Sequence, residues 1–300
     1  MQPFRAHSSR WLISLSLSAM LIAMHTLYWQ WLCRRLEADW QGWAARRSVA
    51  GWHFGTGTAV IGGWPLAAEM TLPDPVATAP DGSGWAGERM VLRINLLRPG
   101  RLLVDAPGAQ QILFGNADRV HFTAMRQHLD LPLTVDVAPG EFDLAATQIS
   151  LPPSWRTPFG PSITSLSAAG RISEVGGLAN SGIGTIIRQW HDSGGSMDLR
   201  KFALLWGSLD VSGHATLALD ERLQPQGDGT AAVAGFAEAI AQLADAGRIP
   251  RHVAMLASGA LALMSGGNAI AEVPFQLRSG RLSVRQIPLL SIPEVVWPNR

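Results

Sequence analysis

Gly55, Gly57, Gly62 and Gly63, in the stretch GTGTAVIGGWPLAAEMTLPDP, come nearest in this chain to a chemical motif. Glycine-rich loops let backbone N–H groups cradle a phosphate. A dinucleotide fingerprint starting at Gly55 needs a small residue at position 60, where Val60 stands. A phosphate loop starting at Gly57 reaches Gly62 correctly, then needs Lys and Ser or Thr where Gly63 and Trp64 stand. Both motifs also require a helix to follow. Leu66, Ala68, Met70 and Leu72 instead alternate with Ala67, Glu69 and Thr71, the period of a strand, with Pro65 at its first position. The glycines therefore predict a hairpin turn.

Other reactive groups form no local constellation. The eight histidines lack the H-x-H, H-x-x-x-H and H-E-x-x-H spacings of metal sites. His121 and His128 read as surface residues on separate strands. Ser196 follows Gly194 and Gly195 without completing a nucleophile elbow. Asp136, Glu141 and Asp143 flank the Pro139-Gly140 turn and read as solvated hairpin ends. Cys33 is the only cysteine, which excludes an internal disulfide and a thiolate cluster. Leu32 precedes it where lipid attachment wants a small residue, so Cys33 reads as an unmodified thiol at the membrane surface. These residues predict no catalytic group, no metal and no cofactor; a hydrolase assembled from distant Ser, His and Asp residues is the enzymatic alternative.

The elements that would position any site are mainly strands. Only 16% of residues are charged and the net charge is +1, with no basic stripe, which excludes a nucleic-acid footprint. The 31 glycines and 19 prolines favour turns and short strands. Strands are predicted at 89–95, 101–105, 110–114, 118–125, 131–137, 141–150 and 163–174. Leu209 to Leu219 alternates cleanly, a turn is expected over Pro225–Gly229, and a partner strand over Thr230–Ala234. Phe275 and Leu277 should meet Leu282 and Val284 around a Ser279-Gly280 turn. Helices are predicted at Ile183–His191, from Phe236 to a stop at Gly247, and over Arg251–Met264.

Trp11–Leu32 is 22 residues without Asp, Glu, Lys or Arg, long enough to span a bilayer as a helix. Tyr28, Trp29 and Trp31 stand at its far end as interfacial aromatics do. An uncleaved anchor is favoured over a signal peptide, because an A-x-A site is missing and the apolar run is too long. Leu36, Trp40, Trp43 and Ala44 extend the helix at amphipathic spacing, with Trp40 and Trp43 facing headgroups or the domain. Residues 1–10 are then a tail, 11–32 the anchor, 33–50 an amphipathic juxtamembrane helix and 51–300 a β-rich domain. Arg34, Arg35, Arg46 and Arg47 outnumber Arg5 and Arg10, so charge alone does not put the domain outside the cytoplasm.

Two stretches carry a family likeness: the Trp-rich helix followed by GGWPLAAEMTLPDP, and WHDSGGSMDLRKFALLWGSLDVSGHATLALDERLQPQGDG. With Gly63, Pro65, Trp206, Gly207, Gly213, Leu219, Asp220, Pro225 and Gly227 as its most specific residues, the chain resembles the bacterial family called domain of unknown function 2125. Those residues read as structural. The strand-turn style is similar, more distantly, to AsmA-like envelope proteins, which pair one anchor with a periplasmic β-groove. The resemblance implies an inner-membrane anchor with residues 1–10 as a cytoplasmic tail and the bulk of the chain, residues 51–300, as an envelope domain in the periplasm. The fold expected is mainly β with a few helices (α+β), a long curved antiparallel sheet or half-barrel behind one transmembrane helix. The function expected is non-catalytic binding of lipid or another apolar envelope component in a β-groove. An assembly scaffold with a protein partner and no small ligand is the alternative.

Overall fold

A computed structural model describes residues 6–114, 119–133, 140–155, 157–174, 183–264, 266, 268, 270–284, 287–291, 294, 295 and 297. One continuous helix, α1 (Ala6–Val49), carries both the predicted anchor and the juxtamembrane segment, and Gly51 ends it at φ 86°. Its two halves differ. Trp11 through Met24 are exposed on every side, whereas Leu32, Cys33 and Leu36 are buried against the sheet.

Among the described residues the sheet has 17 strands. The first eight are short: β1 (His53–Gly55), β2 (Val60–Gly62), β3 (Ala67–Pro73), β4 (Val76–Thr78), β5 (Gly84–Gly87), β6 (Arg89–Asn95), β7 (Arg98–Asp105) and β8 (Gly108–Leu113). Then follow β9 (Arg119–Pro132), β10 (Gly140–Ser150) and β11 (Ser162–Ile172), helix α2 (Ile183–Asp192), and β12 (Met197–Trp206), β13 (Leu209–Leu219) and β14 (Pro225–Ala234). Helices α3 (Phe236–Asp245) and α4 (Arg251–Met264) precede β15 (Ile270–Arg278), β16 (Arg281–Val284) and β17 (Ile287–Ser291). All pairings are antiparallel, and from β9 to β17 each strand pairs with the next. The sheet does not close into a barrel.

Strand β9 is where the sheet forks. Its first half pairs with β8 and, through it, with β5, β4 and β1; its second half pairs with β7 and, through it, with β6, β3 and β2. Two separate strands were expected here, with His121 and His128 on different ones. Both histidines lie on the single strand β9, because two short partners in succession keep one long strand extended. Residues 134–137 of the second expected strand, and Asp136, lie outside the described residues. Glu141, partly exposed at the start of β10, faces Arg171 at 3.4 Å and Arg200 at 3.8 Å across β11 and β12.

Gly55 to Pro75 forms the hairpin its alternation predicts. Val60 pairs with Thr71 and Ile61 with Met70, and no helix follows. Ala68, Met70 and Leu72 face inward, but Leu66 does not. Its N–H bonds Gly63 O at 3.1 Å within the turn, so the inward run starts one residue pair later and Leu66 points to solvent.

Helix α1 covers this hairpin. Leu32, Cys33 and Leu36 meet Met70, Leu72, Leu92 and Ile94 in one apolar cluster. Trp29 Nε1 donates to Ala67 O at 2.8 Å, and His25 Nε2 lies 2.7 Å from Pro65 O. Trp40 and Trp43 stack 5.3 Å apart and both reach Phe54 of β1. Of the five aromatics read as interfacial, Trp29, Trp40 and Trp43 thus touch the β domain. Tyr28 and Trp31 stack on each other, 6.0 Å apart, on an exposed side of the helix. The helical period explains the division, since 29, 32, 33, 36, 40 and 43 share one face.

Cys33 is likewise buried in this cluster. Burial raises its thiol pKa, and a backbone hydrogen bond from Glu69 offsets only part of that rise. Thiolate is the reactive form. Maleimide modification of the full-length chain is therefore expected to be slow near neutral pH and complete in guanidinium chloride. Rapid labelling of the folded protein, followed by mass spectrometry, would show that α1 does not dock as described.

Candidate apolar binding cavity

The cavity starts from small residues at the centre of the sheet. Register places Phe202, Gly213, Ala231 and Val273 in one row across β12 to β15, and Ala215, Gly229, Phe275 and Val284 in the next row across β13 to β16. Small residues, Gly213 and Ala231 in the first row and Ala215 and Gly229 in the second, thus stand between the rings of Phe202 and Phe275. Gly213 cannot be larger: a Cβ there would lie 2.1 Å from Thr230 O. Phe202 and Phe275 meet edge to face at 6.2 Å.

A helical hairpin roofs these rows. Strand β14 turns into α3 at Gly235, whose φ is 69°, and whose added Cβ would lie 1.9 Å from Ser208 O. Arg248 N–H to Leu243 O at 2.8 Å and Gly247 N–H to Ala244 O at 3.0 Å close α3, with Gly247 left-handed. Pro250 then leads into α4. Ile240, Ala254, Ala257 and Leu261 turn down onto Ala231, Ala271, Val273 and Val284. Between roof and floor is a cavity of about 360 Å³, lined by Phe159, Phe202, Val211, Ala231, Phe236, Ile240, Leu243, Ala257, Leu261, Val273, Phe275 and other apolar residues. That volume is within the range of small-molecule sites. Its walls offer dispersion contacts and no acid, base or nucleophile.

A larger, polar depression of about 630 Å³ lies by the β13–β14 turn, lined by His191, Asp220, Glu221, Arg222, Gln224 and Glu294 among others. Asp220 is already committed there. Its Oδ1 accepts the N–H groups of Arg222 at 2.9 Å and Gln224 at 2.8 Å, which fixes the turn. Among the described residues no three His, Cys, Asp or Glu side chains group to hold a metal ion. His128 Nδ1 lies 3.0 Å from Asp105 Oδ1, and Arg93 bridges Asp105 to Glu69. This row crosses β3, β6, β7 and β9 half-exposed, and supports strand pairing.

The family-motif residues do not converge on one site. Gly63 and Pro65 form the turn beside α1. Trp206 Nε1 donates to Gly160 O at 3.0 Å, its ring packs on Phe159, and Gly207 makes the next turn at φ 58°. Gly213 pairs with Phe202 and Ala231 of the cavity wall, and Leu219 and Asp220 end β13. Pro225 and Gly227 stand inside β14, not in a turn as expected, paired with Leu219 and Leu217. The turn is Asp220–Gln224, held by its own aspartate, so the glycines could be part of a strand that approaches closely: a Cβ at Gly227 would lie 2.1 Å from Thr216 O. The cavity residues themselves were assigned to strands and helices without a ligand role. Their signal was the small residues at 213, 215, 229 and 231, legible only with the register.

The architecture is that of a β-sheet protein with one N-terminal helix long and apolar enough to cross a membrane. The chain belongs to the family described as an uncharacterized protein conserved in bacteria (DUF2125), whose model matches residues 29–175 and 183–293. The match begins at Trp29, in the half of α1 that docks on the sheet. No curated protein and no solved structure matches the chain.

Proposed function

We propose that this protein is a non-catalytic, membrane-anchored protein that holds an apolar ligand of the lipid acyl-chain class in the cavity beneath α3 and α4. The observation that carries this reading is the wall chemistry: a cavity of about 360 Å³ lined by apolar side chains alone, between a helical roof and a sheet floor in which Ala231 stands between Phe202, Val273 and Phe275. Burial of an acyl chain there gains about 0.8 kcal/mol per methylene. The exposed apolar half of α1 supports an anchor, and the docked half supports an uncleaved one, since cleavage after Leu32 would strip the cluster of Leu32 and the helix turn above it. The family resemblance favours an inner-membrane anchor with the sheet in the periplasm.

The test uses the full-length chain in phosphatidylcholine–phosphatidylglycerol vesicles doped with a phospholipid carrying a diazirine on its acyl chain. After illumination, adducts are mapped by mass spectrometry of peptides. Adducts on the α3–α4 and β12–β16 peptides support the reading. Adducts confined to residues 11–31 would overturn it.

A further inference from the structure

We infer that the tips of the β2–β3 and β6–β7 hairpins, through Trp64, Leu66 and Leu97, insert into the bilayer interface beside the anchor helix. The inference rests on the anchor reading and adds a second membrane-contacting element to it. These three large apolar side chains are 53%, 72% and 89% exposed. They belong to neighbouring turns: Leu96 N–H donates to Leu66 O at 3.1 Å, and Ala67 pairs with Asn95. Asn95 Oδ1 accepts the Leu97 N–H at 2.8 Å, holding a tight turn in which Leu96 is buried and Leu97 is turned out.

The place of this tip in the fold says what covers it. His25 meets Pro65 O at 2.7 Å, whereas Trp11 through Met24 before it are all exposed. The tip therefore surrounds the point where the apolar helix leaves the domain. Length then sets the depth. Fourteen residues from Trp11 to Met24 rise about 21 Å, against the ~30 Å of a hydrocarbon core. Extension toward the N-terminus meets Arg10 and then Ser9, Ser8 and His7. Extension the other way meets no charge until Arg34, so the missing third of the span is taken from His25 to about Trp31. That segment carries the tip with it. Trp64 and Leu66, on either side of the Pro65 that meets His25, and the adjoining Leu97 then lie on the hydrocarbon side of Tyr28 and Trp31, next to the belt where amphipathic rings concentrate, with Arg35 over the Trp31 ring on its headgroup side.

Single cysteines, Leu97→Cys, Leu66→Cys, Ile13→Cys and Met125→Cys, are introduced into the full-length chain and labelled with an environment-sensitive fluorophore, buried Cys33 staying unlabelled. Met125 is an exposed residue within β9 and serves as the aqueous control. In phosphatidylcholine–phosphatidylglycerol vesicles carrying doxyl lipids, probes at 97 and 66 are expected to shift blue and be quenched at least twofold more than the probe at 125. Quenching at 13 with probes at 97 and 66 as exposed to water as 125 would overturn this inference and leave the anchor standing. No quenching at 13 either would overturn both.

Discussion

A chain that begins at Gly51 will fail to fold cooperatively, whereas one that begins at His25 will keep its β domain. The helix from Trp29 to Trp43 is one wall of an apolar cluster whose other wall is Met70, Leu72, Leu92 and Ile94. Met70 and Leu72 have no exposed surface. Each fully buried large apolar side chain is worth about 1.5–3 kcal/mol. Losing Leu32 and Leu36 and uncovering the four residues beneath them removes on the order of 10 kcal/mol, the scale of a domain's whole stability. Lost with them are the Trp29 bond to Ala67 O and the Trp40–Trp43–Phe54 stack that holds β1. The side chains of Trp11 through Met24, lost in the longer chain, are all exposed. Both chains should be compared in the same mild detergent, so that solubility is not the readout. Limited proteolysis and thermal circular dichroism should give a resistant core and a cooperative transition for the longer chain and neither for the shorter. A cooperative transition for the chain starting at Gly51 would show that α1 is an accessory to the fold and not part of its core.

What the sequence made legible, and what it hid, divides by the distance between partners. The hairpin of Phe275 and Leu277 with Leu282 and Val284 reads directly, because its Ser279-Gly280 turn is local and both residues are left-handed in the structure. Helices α2, α3 and α4 read directly too, from apolar spacing and from Gly247 and Pro250 as stops. The continuity of β9 did not, because it depends on β8 and β7 arriving in succession along one edge. Pro225 and Gly227 looked like turn residues since nothing local reveals that Asp220 makes the turn instead. The same holds for the candidate site. Gly213 and Ala231 are 18 positions apart in the chain, and only the register sets them side by side under Ala257. The failure of the Gly55–Gly63 stretch as a nucleotide loop was readable at once; the contact of the following Pro65 O with His25 was not.

Filling the cavity gives the second large effect. Ala231→Trp places an indole in the floor, where Gly213 and Val273 flank Ala231 in the row and the nearest roof is Ile240, Ala257 and Leu261. An added ring that occupies existing space costs little, whereas the same ring in a filled core would force side chains off their rotamers at about 1–3 kcal/mol. The cavity of about 360 Å³ therefore predicts a thermal midpoint within a few degrees of the natural chain. Ligand response is expected to separate the two proteins. A ligand bound only to the folded state stabilises it by RT ln(1 + [L]/Kd), about 2.7 kcal/mol at a hundredfold excess over Kd. Titrating a long-chain fatty acid below its micellar concentration should raise the midpoint of the natural chain and leave that of Ala231→Trp unmoved, with α3–α4 photoadducts falling at least tenfold. Phe275→Ala supplies the opposite sign: it enlarges the cavity at a cost of about 3–5 kcal/mol without ligand, and added acyl chain should restore part of that loss. Equal responses from all three proteins would mean that the apolar space under α3 and α4 is a packing void, and would remove the basis for lipid binding there.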